Sequence, residues 1–357
     1  MWALVMGHVL REDAFAGVEA LVRSRARRAL QVCRRFGDDA LAYFTERLDA
    51  APTRQALARV LRWAKRRKVF AASLWIGVAV DGTTTTCYRK RRCAYCRPLR
   101  KHGTIVGYRH HVVLLSVVGT LIPLPCDVEL YGPGDSEYVA AQRGLRRVVA
   151  ALGARFADYV VADGEFATAP FLHTAGALGL RVVARLKDNL PGLAAAARQR
   201  YASIPPTGRF TDRDDQVEVW DAADFPPWPG LRWAAVRVLL YRQTKPDGRI
   251  IEAMWLTDWP QAEVSSQALY RMAKSRWSVE NEGFNVAKTL HGMEHLCHHH
   301  TNSIVVNWLL LLLALTIERL YRLRYLHRGA HRVRTAIQFV RDLRISLGLR
   351  PVFANSG

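Results

Sequence analysis

Glu280 stands four residues after Arg276 and eight before Lys288 in Y-R-M-A-K-S-R-W-S-V-E-N-E-G-F-N-V-A-K, the stretch from Tyr270 to Lys288. Read as one helix at about 100° per residue, it sets the two cations roughly 40° behind and 80° ahead of the carboxylate. One face then offers an acid between two positive charges, which suits a metal ion and a phosphate. Alone, an Arg/Glu pair at this spacing is an ordinary surface ion pair worth little. Two aspartates upstream change its meaning. Asp81 closes the apolar run Leu74 to Val80 in L-W-I-G-V-A-V-D-G-T, and Asp163 closes Tyr159 to Ala162 in Y-V-V-A-D-G-E-F. Acids at the ends of two strand-like runs, joined by a glutamate from a later helix, are the ligands that two-metal phosphoryl transfer requires. Glu282 lies roughly 200° round the helix from Glu280 and cannot face the same metal; Asp188 reads as a turn residue.

The elements that must position these acids follow from hydrophobic periodicity. Residues 1–69 show helical spacing with basic clusters at Arg23 to Arg28, Arg34-Arg35 and Lys65 to Lys68, and predict a helical N-terminal region able to touch DNA phosphates. From Val69 the texture is β: strands are expected at Leu74 to Val80, within Gly103 to Val118, and in G-T-L-I-P-L-P-C-D-V-E-L. A helix from Asp135 to Leu152, a strand Tyr159 to Ala162, a helix Ala169 to Leu178 and a strand Arg181 to Leu186 follow. Three antiparallel strands, a helix, then strand, helix and strand is the order of an α/β, RNase H-like fold with a mixed five-stranded sheet. Paired prolines punctuate strand-like runs at Gln216 to Trp220, Leu231 to Gln243 and Ile250 to Leu256, which reads as a β-rich insertion before the glutamate helix. Its tryptophans are expected in the core. The divisions expected are 1–69, a catalytic core at 70–189, the insertion at 190–255, the second part of the core at 256–330, and a basic tail at 331–357.

Charge names the partner class. Lys and Arg number 52 against 31 Asp and Glu, a net charge of +21 in 357 residues and a sequence pI near 10.3, so a polyanion is expected, nucleic acid before an acidic membrane surface. Six unevenly spaced cysteines do not form a secreted disulfide framework and fit a reducing cytosol. The N-terminus carries no basic segment or small-residue cleavage site, so no signal peptide is expected. The run Ile304 to Ile317, interrupted by Asn307, is short for a bilayer and reads as a core helix. Cys87-x5-Cys93-x2-Cys96, followed by His102, His110 and His111, contains a C-x2-C knuckle of the kind that grips Zn²⁺. A second such pair is missing, so reduced thiols in a basic loop are the competing reading; Cys297 to His300 are the other source of ligands.

With Asp81, Asp163 and Glu280 on this strand order, the chain resembles the DDE transposases of bacterial insertion sequences over about residues 78 to 317. The likeness rests on D-G-T at Asp81, V-A-D-G-E-F at Asp163, R-L-K-D-N at Arg185 and R-W-S-V-E-N-E-G-F-N at Arg276. Arg276-x3-Glu280 fits the family's Tyr-x2-Arg-x3-Glu-x6-Lys motif; the Tyr position falls on Ala273, one turn after Tyr270, and the Lys position on Ala287, one residue before Lys288. The resemblance implies Mg²⁺, with Mn²⁺ able to substitute, held by Asp81, Asp163 and Glu280, and phosphate contacts from Arg276, Lys288 and Tyr270. It implies nicking of double-stranded DNA at element ends and joining of the 3′-OH to target DNA, by a homodimer on two ends in the bacterial cytoplasm. Two alternatives share the charge: an RNase H-fold structure-specific endonuclease that cuts without joining, and a DNA-binding relative without catalysis.

Overall fold

The computed structural model describes residues 1–71, 73–187, 189–277, 285–326 and 335–351. Five helices come first: α1 (Trp2–Val9), α2 (Phe15–Arg23), α3 (Ala26–Ala29), α4 (Asp38–Arg47) and α5 (Ala50–Arg66). Then follow β1 (Gly77–Thr84), β2 (Arg97–Lys101), β3 (Thr104–Arg109), β4 (His111–Val118), β5 (Leu124–Tyr131), α6 (Glu137–Leu152), β6 (Tyr159–Ala162), α7 (Ala169–Ala177) and β7 (Arg181–Leu186). The chain continues through α8 (Pro191–Ala202), β8 (Gly208–Asp212), β9 (Asp215–Phe225), β10 (Val236–Thr244), β11 (Ile250–Thr257), α9 (Ser266–Ser275), α10 (Asn285–His291), α11 (Thr301–Tyr321) and α12 (Ala336–Ser346).

Strands β5-β4-β1-β6-β7 form the expected five-stranded core, with β4 antiparallel to β1, and β1, β6 and β7 mutually parallel. The β-rich insertion does not stand apart from it. β11 pairs antiparallel with β7, and β10, β9 and β8 follow, so one sheet of nine strands results. The physical reason is the edge of β7: its unpaired backbone groups invite another strand, and β11 satisfies them. The expected strand Gly103 to Val118 is two strands. β3 leaves with β2 as a separate hairpin, and the break falls at His110, which is fully buried.

Where β1 and β6 pair in parallel, Val78 to Val80 and Tyr159 to Ala162 are apolar and buried, as strands covered on both faces must be. Every residue of β6 is buried, with α6 and α7 packed along the sheet and α9 crossing β6, β7, β9 and β10. Of the insertion's tryptophans, Trp220, Trp255 and Trp259 are buried in the core. α11 is long and apolar enough to cross a membrane, but 78% of its apolar window is buried, against α1, α4, α5 and β5. Its interrupting Asn307 is spent on a buried hydrogen bond to His8 at 3.1 Å. α5 is pinned to the sheet by Arg54, whose Nε donates to Asp127 Oδ1 at 2.9 Å, and Arg147 holds the other oxygen at 3.0 Å. α12 docks by burying Val340 and by donating from Arg344 to Glu12 at 2.7 Å. All six cysteines are free thiols.

Candidate active site

β1 and β6 run parallel and in register up to Val80 opposite Ala162, so the next residue on each, Asp81 and Asp163, stands at the same level on neighbouring strands. These are the C-terminal ends of parallel strands, where open α/β sheets place their ligands. The following helix, α6, begins at Glu137, whose carboxylate accepts a hydrogen bond from the Tyr131 hydroxyl at 2.8 Å. It also crowds Gly82: a side chain there would overlap the Glu137 carboxylate, which is why D-G-T needs its glycine. Sequence reasoning missed Glu137, because an acid opening a helix reads as a capping preference.

Each aspartate is held by a cation from another element. Arg276, at the end of α9, donates from Nη1 to Asp81 Oδ2 at 3.3 Å, and Lys187, just past β7, donates from Nζ to Asp163 Oδ2 at 2.6 Å. Burial pushes the Asp81 carboxyl up to about 6; Arg276 and the Gly82 N–H oppose that rise, and the charges of Glu137 and Asp163 add to it. Burial also works against the Asp163 charge, but the bonds from Lys187 and the Gly164 N–H, with the charges of Lys187 and Arg276, outweigh it and hold the group below its ordinary value. Glu137 is raised, first by burial and then by Glu165 and Asp163, although the Tyr131 bond lowers it. Meanwhile Asp163 Oδ1 is buried with no hydrogen-bond partner among the described residues. An ionised, orphaned oxygen beside a second, proton-hungry carboxylate fits a hard divalent cation such as Mg²⁺, which would satisfy the first and keep the second ionised at neutral pH.

Asp81 has a stability signature. Its folded pKa lies above the unfolded value of 3.8, so the native state binds the proton more tightly; the stability it contributes is present below the unfolded value and is lost as pH rises through about 6. In magnesium-free buffer, Asp81→Asn is therefore expected to gain on the wild type by about 3 kcal/mol between about pH 4 and pH 7. Urea titrations at spaced pH values measure the difference, and a pH-independent one would mean the carboxyl is not desolvated.

The remaining sequence-derived residues fare differently. Glu280 lies outside the described residues, as do Glu282 and Asp188. The single helix Tyr270 to Lys288 does not hold at Arg276: α9 closes at Ser275, and the Arg276 N–H tightens onto Ala273 O, three residues back, at 3.3 Å. Arg276 reaches Asp81 as the capping residue of α9, and residues 278–284 of the expected helix lie outside the described residues. Tyr270, expected as a phosphate contact, is 1% exposed; its hydroxyl donates to Asp212 at 2.8 Å and its ring packs against Phe210 and Tyr241. In these contacts it braces α9 on the insertion. Lys288, in α10, pairs with Glu294 at 2.9 Å. Of the expected zinc ligands, Cys93 and Cys96 are brought together with His110, whereas Cys87 is exposed and outside the group.

A second feature lies at the other end of β6. Arg59, Arg62 and Arg66 of α5, at one-face spacing, line a groove of about 610 Å³ with Arg155 and the 152–156 loop. Lys65 is tied down by bonds to the carbonyls of Arg155 and Phe156, both 2.7 Å, leaving the arginines as the exposed charges.

Residues 76–317 match the family model of the transposase DDE domain. No curated protein matches the chain. Among solved structures it is similar to a piggyBac transposase, seen by cryo-EM in a synaptic complex with hairpin DNA, at 12% identity and a TM-score of 0.47, over 97% of this chain and 70% of that one.

Proposed function

The chain belongs to the transposase DDE domain family, and we propose that it cuts DNA at the ends of its own element and joins the freed 3′-OH to target DNA, with Asp81, Asp163 and Glu280 as the acids. The observation that carries this reading is the aspartate pair: each follows directly on the last parallel pair of β1 and β6, Val80 opposite Ala162, one carboxyl raised by burial, the other held below its ordinary value with an orphaned oxygen. Asp81, Asp163 and Glu280 would hold the divalent ions, whose chemistry when bound would be to activate a water or 3′-OH and to stabilise the departing oxygen. The protein's own part is positional and electrostatic. Asp81 and Asp163 present oxygens from rigid strand ends, which keeps the reacting phosphate in one place. Arg276 and Lys187 neutralise the carboxylates before DNA arrives, and a scissile phosphate entering beside them finds two donors already in place. Lys288 is a further phosphate contact in this reading, and two chains acting on two ends form the working assembly.

The groove between α5 and the 152–156 loop is proposed to hold duplex phosphates away from the reacting one. Replacing Arg59, Arg62 and Arg66 together with alanine is expected to weaken binding to any duplex and to flatten the plot of log K against log salt by about one unit for each phosphate no longer neutralised. Fluorescence anisotropy across a salt series measures this; an unchanged slope would remove the groove from the interface.

Incubation of the purified protein with a labelled duplex carrying the element's end, a target plasmid and Mg²⁺ tests the whole reading. The expected products are a nick leaving 3′-OH at the boundary, then a joined species. Cleavage without joining favours the endonuclease, and salt-sensitive binding without cleavage favours the inactive relative.

A further inference from the structure

The excursion between β1 and β4 brings three ligating atoms into one small triangle. Cys93 Sγ and Cys96 Sγ are 3.9 Å apart, and His110 Nε2 lies 3.1 Å from the first and 3.4 Å from the second. Around a tetrahedral zinc with bonds of about 2.3 Å to sulfur and 2.0 Å to nitrogen, the sulfur–sulfur edge is about 3.8 Å and the sulfur–nitrogen edges about 3.5 Å. The triangle matches one face of that tetrahedron within a few tenths of an ångström. Its surroundings fit as well: Cys96 and His110 are buried, and the Arg92 N–H points at Cys96 Sγ at 3.4 Å, a donor that favours a thiolate. The fourth vertex has a candidate on a distant segment. The ring of His299 lies over that of His110, centroids 6.1 Å apart and planes 26° from parallel, and its Nδ1 is buried with no hydrogen-bond partner among the described residues. Two imidazoles on one tetrahedral zinc have centroids about 5 Å apart; His299 stands outside the Cys93–Cys96–His110 group and would turn its ring toward the metal to complete the set.

We propose that Cys93, Cys96, His110 and His299 bind one structural Zn²⁺ per chain. The neighbouring ligand types are otherwise engaged: Cys297 Sγ contacts Asp13 O at 3.0 Å, His298 pairs with Glu46 at 3.3 Å, and His111 faces Tyr131. A closed site of four protein ligands is structural, not catalytic. What it joins gives it a purpose. The chain enters the excursion directly after β1, which carries Asp81, and His299 lies in the segment between α10 and α11; a hydrogen bond from Thr86 to Glu294 O at 3.3 Å already links the two. The zinc would staple the exit of the Asp81 strand to the segment that follows Lys288.

The test uses the full chain, purified without a metal-affinity tag and dialysed, with zinc measured by elemental analysis. About one Zn per chain is expected, with loss in Cys93→Ser and Cys96→Ser and retention in Cys87→Ser. Folded wild type without stoichiometric metal overturns the site, as does equal loss in Cys87→Ser. Should the cysteine variants fail to fold, Co²⁺-loaded wild type decides: visible bands of a tetrahedral ion with sulfur-to-metal charge transfer support the proposal, and an octahedral spectrum without it refutes it. His299→Ala is expected to weaken zinc in chelator competition by more than about tenfold, the loss that removing even an outer-shell partner causes; unchanged affinity removes His299 from the set.

Discussion

Asp163→Asn is expected to abolish Mg²⁺-dependent strand cleavage, lowering the rate by at least about 10³-fold, while leaving DNA affinity nearly unchanged. The magnitude follows from the role: a metal-held oxygen supplies several kcal/mol of transition-state stabilisation, and each 1.36 kcal/mol is about tenfold in rate. The amide keeps size and shape but not the charge that Lys187 now pairs at 2.6 Å. Affinity should survive because the proposed reading gives it to phosphate contacts elsewhere, which removing a negative charge does not harm. The two aspartates should also part company in stability. Asp81→Asn relieves a carboxyl that burial has raised to about 6, whereas Asp163→Asn discards one whose charge its neighbours favour. Parallel cleavage assays and urea titrations on both variants read this out, and loss of DNA binding together with cleavage would show that folding, not catalysis, had failed.

Asp221→Ala is expected to cost about 3–5 kcal/mol of stability, the penalty for stranding a buried charge. Asp221 and Arg237 side chains are 1% and 2% exposed and meet through two bonds, 2.8 and 2.6 Å. Ser266, the first residue of α9, donates to the same carboxylate at 2.7 Å, and Arg237 also donates to Trp259 O at 3.1 Å. The insertion thus fixes the start of the helix whose far end delivers Arg276 to Asp81. Replacing both charged residues with apolar ones of similar volume should cost far less, because no charge is then left unpaired. Denaturant midpoints for the single and double variants measure the contrast; a single-variant loss under about 1 kcal/mol would contradict it.

Periodicity is enough to find β6 and β7, because a short buried parallel strand carries an apolar run, Tyr159 to Ala162 and Val182 to Ala184, bounded by turn or charged residues. It misplaces β1: Leu74 is apolar yet 84% exposed, while the polar residues from Asp81 to Thr84 pair fully with β4. Register across strands outweighs side-chain character there. α8 escapes such reading since its buried side, Ala194, Ala197 and Tyr201, holds a single large side chain and no apolar stripe. The aspartates are legible because each ends an apolar run. Lys187 lies within R-L-K-D-N, but only the fold turns it toward Asp163. The triangle of Cys93, Cys96 and His110 shows the same limit. Counting cysteines along the chain selects Cys87, yet the β2–β3 hairpin carries the chain back so that His110, fourteen residues after Cys96, becomes its neighbour.

If Asp81, Asp163 and Glu280 bind the ions that drive cleavage, replacing each acid in turn with cysteine should change the metal the chain prefers, since sulfur favours softer ions. Strand cleavage measured in Mg²⁺ and in Mn²⁺ is the most direct test. Cleavage by Asp81→Cys, Asp163→Cys and Glu280→Cys should vanish in Mg²⁺ and return in part with Mn²⁺. Undiminished Mg²⁺-dependent cleavage by any one of the three would contradict the account.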